Sequence, residues 1–316
     1  MSNTELIKEL RALTQAGMKD CREALEEAGW DLQKAVDVIK VKGQNIGDGR
    51  SGRVASEGRV AIMDATNLFD KNGSPLPDKQ LRVMVEVNSQ TDFVANSKEF
   101  ANFADSVAAT LLLSASNNQT FNALDVEQGD NGRLALVSKI KENIVVRRWW
   151  VEEAFDPRAR VFSYKHSNAK IGVLLTLMAP TPEAANDPAF VELGNDLAMQ
   201  VAAMNPLAVS HDRLHAEDVS RQKSIFETQL AELNKPQAAW PKIMDGKLNK
   251  WYTEVCLLNQ ESVIVPKTTV QQVVKNVGTK LGGEIQVVSF IRCQVGEGLE
   301  IKKENLADEV AKIVKE

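Results

Sequence analysis

Clustered positive charge is missing from this chain of 316 residues: 38 basic residues face 43 acidic ones, for a formal charge of −5. A broad nucleic-acid footprint needs grouped cations that displace condensed counterions. Arg50, Arg53 and Arg59, and further on Arg147 and Arg148, form only small groups without aromatics interleaved for base stacking. Cysteine is scarce. Cys21, Cys256 and Cys293 are odd in number and far apart, which excludes a disulfide framework and fits a reducing, cytoplasmic setting. The longest mostly apolar run, Val173 to Ala179, falls far short of the roughly 20 residues of a membrane helix. The start, Met1-Ser2-Asn3-Thr4-Glu5, opens straight into a helical pattern and has neither the basic nor the apolar region of a leader.

The signatures of covalent chemistry are equally thin. His166, His211 and His215 are the only histidines. The last two stand four apart, but no cysteine or HExxH context joins them, and the helical pattern starts only after them. Gly43, Gly47, Gly49 and Gly52 look phosphate-loop-like, yet no Gly-Lys-Ser/Thr follows. There is no serine elbow, no Cys-x-x-Cys and no dinucleotide fingerprint. A binding or regulatory protein is therefore favoured over an enzyme, with no cofactor and no metal of its own.

What the chain does have is order. Residues 4–42 read as three short helices. Leu6, Ile7, Leu10 and Leu13 share one face with Asn3 or Thr4 as cap; Cys21, Ala24, Leu25 and Ala28 face inward from the second; Asp31 caps a third that ends at Gly43. Residues 44–56 read as a glycine-rich linker. The body then repeats itself. Val83, Val85 and Val87 recur 90 positions on as Val173, Leu175 and Leu177, and Phe100 recurs as Phe190. Strand, connection and helix thus have equal lengths in both copies. The predicted fold class is α+β: an N-terminal three-helix module, a duplicated core of antiparallel strands with helices, and an inserted antiparallel helical hairpin. The expected units are a module at 1–43, core halves at 57–151 and at 152–216 with 257–300, a hairpin at 217–256 and a C-terminal helix at 301–316. The first hairpin loop, 66–79, reads as long, and 114–132 reads as loop by composition. Of Trp149 and Trp150, one ring should bury against a helix.

The connection after the first repeated strand is the candidate site. Asn88-Ser89-Gln90-Thr91-Asp92-Phe93-Val94-Ala95 places an aromatic and a carboxylate side by side between two regular elements, where function concentrates. Phe93 either plugs the chain's own core or reaches outward to another protein. A core plug needed by the repeat should have a counterpart, yet position 183 is Glu.

Several segments together resemble the elongation factor Ts family, nucleotide exchange factors of elongation factor Tu. They are Leu10-Arg11-Ala12-Leu13-Thr14-Gln15-Ala16-Gly17-Met18-Lys19-Asp20-Cys21-Arg22-Glu23-Ala24-Leu25, Val87 to Ala95, Lys139-Ile140-Lys141-Glu142-Asn143-Ile144, Ser163-Tyr164-Lys165-His166, Pro266-Lys267-Thr268-Thr269-Val270 and Phe290 to Gly298. The resemblance implies that the N-terminal three-helix module is similar to ubiquitin-associated domains. Gln15 and Lys19 depart from the family's usual residues. The resemblance implies that Thr91, Asp92, Phe93 and Val94 dislodge Mg²⁺ from the GTPase, and that Leu10, Met18 and His166 supply further partner contacts. It implies GDP-bound and nucleotide-free elongation factor Tu as partner and no direct nucleic-acid or membrane contact, and it leaves room for a dimer of heterodimers. The alternative, a ubiquitin-like-binding adaptor built on the N-terminal module, leaves the duplicated core unexplained.

Overall fold

The computed structural model describes residues 2–14, 16–50, 54–65, 80–126, 132–233 and 236–299. The sequence readings at Gln15, at 66–79 and at 301–316 lie outside these. The fold is α+β, as the alternation of strand and helix patterns implies.

Three helices open the chain: α1 (Asn3–Thr14), α2 (Met18–Glu27) and α3 (Leu32–Arg50). Their shared core is Leu10, Ala16, Cys21, Ala24, Leu25, Ala35 and Ile39. The α1 cap is Ser2 rather than Asn3 or Thr4. Its hydroxyl accepts from the Glu5 N–H at 3.4 Å while the Glu5 carboxylate accepts from the Ser2 N–H at 2.7 Å, a reciprocal capping box. Asp31 caps α3 through the Lys34 N–H at 3.0 Å, as its position predicts. Gly43 does not end that helix. α3 runs on to Arg50, so the stretch read as linker begins as helix, the roughly 1 kcal/mol handicap of an interior glycine notwithstanding.

The core consists of two three-stranded antiparallel sheets, β1-β2-β3 and β4-β5-β6. β1 (Glu57–Asp64), β2 (Gln80–Ser89) and β3 (Val145–Ala154) form the first; β4 (Ala159–Lys165), β5 (Ile171–Met178) and β6 (Gln286–Gln294) form the second. Between β2 and β3 lie α4 (Asp92–Ala95), α5 (Lys98–Ser116) and α6 (Arg133–Ile140); α7 (Pro188–Met204) follows β5. The 90-residue repeat extends to backbone irregularities. The β2–β3 register shifts between Glu86 and Val87, and the β5–β6 register between Thr176 and Leu177. Val83, Val85 and Val87 pack under Phe100 of α5 in one core; Val173, Leu175 and Leu177 pack under Phe190 of α7 in the other.

The opposite faces of the sheets meet each other. Val60, Met84, Leu174 and Cys293 form a thin apolar layer, bordered by Ile62, Trp150 and Ile291. Gly172 sets the spacing: a Cβ there would fall 2.5 Å from the Val60 side chain and 2.7 Å from Met84. Beside this layer sits Glu86, fully buried. It takes hydrogen bonds from Arg147 Nη1 at 3.0 Å, Arg148 Nε at 2.6 Å and the Gly296 N–H at 2.8 Å. Arg147 and Arg148 thus serve the interior of the chain. Neither tryptophan is fully buried: Trp149 meets Phe121 edge-on at 5.1 Å and stays exposed, and Trp150 lies between the sheets under Arg148.

The insertion is a pair of packed helices, α8 (Ala216–Glu232) and α9 (Trp240–Val255). Lys247 ties them through Gln229 at 2.8 Å and through the Phe226 ring at 5.0 Å. α10 (Val270–Lys280) then covers the second core. The N-terminal helices also rest on the first core half: the Ser138 hydroxyl of α6 donates to the Ile39 carbonyl of α3 at 3.3 Å.

Candidate functional site

β2 delivers the chain to its outer end, where Ser89 is still buried and its hydroxyl donates to the Thr91 carbonyl at 3.1 Å. Thr91 is extended and caps α4, accepting from the Val94 N–H at 3.4 Å. α4 is one turn only. Its last two residues anchor it inward: Ala95 is buried and Val94 packs against the first core. Its far end is held by Arg59, whose Nη1 donates to the Ala95 carbonyl at 3.4 Å. Ser97 caps the following helix through the Phe100 N–H at 3.2 Å. Asp92 and Phe93 face outward from this support.

Phe93 is 84% exposed. An isolated surface phenyl forgoes roughly 2 kcal/mol of burial, and here it does so on a turn fastened at both ends. The core-plug reading of Phe93 is therefore wrong for this structure. The second half makes the same turn. Thr181 accepts from the Ala184 N–H at 3.2 Å, Ala185 is buried, and Glu183, at the place of Phe93, is exposed.

The front of the turn is braced from a distance. Glu142 Oε2 accepts from the Thr91 N–H at 3.1 Å, and its Oε1 accepts from the Thr91 hydroxyl at 2.8 Å. The preceding residue, Lys141, adopts a left-handed conformation at the end of α6 and pairs with Asp20 of α2 at 3.0 Å. Consecutive side chains thus fix the start of α2 and the Phe93 turn to one connection.

The remaining sequence-derived candidates divide. Met18, first residue of α2, is 54% exposed. Leu10 is fully buried at the centre of the three-helix core, which corrects its assignment as a contact residue: its methyls are already packed against α2 and α3. The exposed apolar residue of that helix is Leu13, which the helical pattern had placed on the buried face. Lys19 points to solvent beside Glu23 at 3.8 Å. His166 is exposed at the β4–β5 turn, its Nδ1 3.0 Å from the Tyr164 hydroxyl. It belongs to the second half and makes no hydrogen bond to the Phe93 turn. Sequence reading also passed over Phe155, which is 85% exposed at the β3–β4 turn; the Asp-Pro pair after it is the signal for that turn. Among the described residues no group of histidines, cysteines or carboxylates is arranged to hold a metal, and no helix is long and apolar enough to cross a membrane.

The family model described as "Elongation factor TS" matches residues 90–297, which include the Phe93 turn and its Glu142 brace. Full-length relatives extend the match to the N-terminal helices. The elongation factor Ts of Symbiobacterium thermophilum is 40% identical, covering 97% of this chain and 96% of the relative. That of Clostridioides difficile is 38% identical, covering 98% of each. That of Magnetococcus marinus is 37% identical, covering 98% of this chain and 97% of the relative. These similarities define a class first: translation elongation factors that serve nucleotide exchange in protein biosynthesis. Within that class, the chain belongs to the elongation factor Ts family.

Proposed function

We propose that this chain binds GDP-loaded elongation factor Tu, displaces the Mg²⁺ held there and speeds GDP release, so that GTP can rebind in the nucleotide-free complex. Asp92 and Phe93 enter beside the metal and the phosphate-binding loop of the GTPase, with Thr91 and Val94 holding the turn. Loss of Mg²⁺ removes the charge that neutralises the diphosphate, and GDP affinity falls. No covalent bond is made or broken. The observation that carries this reading is the outward Phe93 on a turn fastened at both ends.

Linkage sets the terms. A protein that favours the nucleotide-free partner loses affinity for it by the same factor when nucleotide binds. An acceleration of about 10⁴ requires lowering the exit barrier by roughly 5.5 kcal/mol. One aromatic anchor contributes about 2–4 kcal/mol, so further contacts must hold Phe93 in place. Met18 and His166, both exposed, suit that role. Mixing the purified chain with GDP-loaded elongation factor Tu and timing nucleotide loss tests the proposal; release at the spontaneous rate rejects it.

A further inference from the structure

The second half shows how such a turn is closed when it carries no aromatic. Glu183 stands where Phe93 stands in the first half, and its carboxylate is held below the usual range by its own backbone N–H and by the Thr181 hydroxyl. A carboxylate thus stands within the turn itself, two residues after the capping threonine. In the first half position 93 has no carboxylate to offer. One arrives instead from 51 residues further along: Glu142 takes both the N–H and the hydroxyl of Thr91. The second half has a contrasting arrangement near this place, where Gly283 backs directly onto Pro180.

We propose that Glu142 is a positioning residue for nucleotide exchange: it supplies from outside the carboxylate that the turn would otherwise carry itself, which frees position 93 for an outward ring. The inference rests on the function proposed above. The geometry explains how it acts. With its proton directed at Glu142 Oε1, the Thr91 hydroxyl keeps a lone pair for the Val94 N–H, so one carboxylate sets the orientation of the cap and hence of the turn. Lys141, one residue earlier, pairs with Asp20 two positions past Met18. The same short connection therefore registers the exposed Met18 against the exposed Phe93.

The test uses the full chain with Glu142→Gln, Phe93→Ala and the double variant in stopped-flow release of fluorescent GDP from elongation factor Tu. For Glu142→Gln we expect about a tenfold fall in the maximal release rate, the scale of one charge-assisted hydrogen bond. The chain concentration giving half-maximal rate should move less than about twofold, because most of the contact surface is kept. Adding Glu142→Gln to Phe93→Ala should cost nothing further, the non-additivity of residues acting through one ring. Thr91→Val, of nearly the same shape without the hydroxyl, should repeat the pattern. In the free chain, hydrogen exchange over residues 89–97 should quicken about tenfold while β2 stays protected. Wild-type release by Glu142→Gln, or a further tenfold loss in the double variant, overturns this role while leaving the proposed function standing. An unmodified chain that leaves GDP release at its spontaneous rate overturns both.

Discussion

Phe93 and Glu183 occupy the same place in the two halves of the core: each lies between a capping threonine and a buried alanine, and each faces solvent. The fold therefore does not need a ring at position 93. Replacing Phe93 by Ala, or by the Glu of its counterpart, should change stability by no more than about 0.5 kcal/mol, as for surface substitutions generally. Paired urea titrations check this. A large drop in the unfolding midpoint would return the ring to a structural role.

Leu10 and Met18 separate core from surface within the N-terminal helices. Leu10→Ala empties a fully buried site and should destabilise these helices by about 2–5 kcal/mol. Met18→Ala should leave stability within about 0.5 kcal/mol while raising the Kd for the nucleotide-free GTPase about fivefold, a modest contact loss. Thermal unfolding of both variants and titration of the second decide the matter. Equal stability loss in the two would contradict the assignment.

Glu86 couples the sheets to pH. Burial pushes its carboxyl upward, but the Gly296 N–H, then Arg148 and Arg147, outweigh burial and hold it below the usual carboxylate value. A folded-state pKa lowered in this way stabilises the fold above the unfolded-state pKa. That contribution fades as pH falls through the folded-state pKa. Glu86→Gln should cost about 3 kcal/mol at pH 7, because two inward arginines lose their charge partner. The gap between wild type and variant should narrow under acid conditions. Urea unfolding at a series of pH values from neutral to strongly acid measures it; a gap that widens toward acid would reverse the sign argued here.

Much of this was legible in the sequence because it rests on period and spacing. The offset of 90 between Val85 and Leu175, and between Phe100 and Phe190, announced two equivalent sheet-and-helix units, and the structure extends that equivalence to the register shifts at Glu86 and Thr176. The Glu at position 183 weakened the core-plug reading of Phe93 without closing it, and the 84% exposure of the ring closes it. What escaped was set by long-range contact. The Glu142 brace joins residues 51 apart, and nothing local marks Glu142 as the partner of Thr91. Arg147 and Arg148 read as a basic pair because their partner Glu86 lies on another strand. Gly43 read as a helix stop from local propensity alone, yet α3 continues through it. Leu10 and Leu13 share a helical face by spacing, but only Leu10 is reached by the neighbouring helices.

The central claim is that one outward ring opens the nucleotide site of another protein. The most direct measurement is the rate of fluorescent GDP release from elongation factor Tu in the presence of saturating wild-type chain or Phe93→Ala. A fall of about 30-fold, the loss of an anchor near 2 kcal/mol, is the result this account predicts. An unchanged rate from a fully folded Phe93→Ala chain would contradict it.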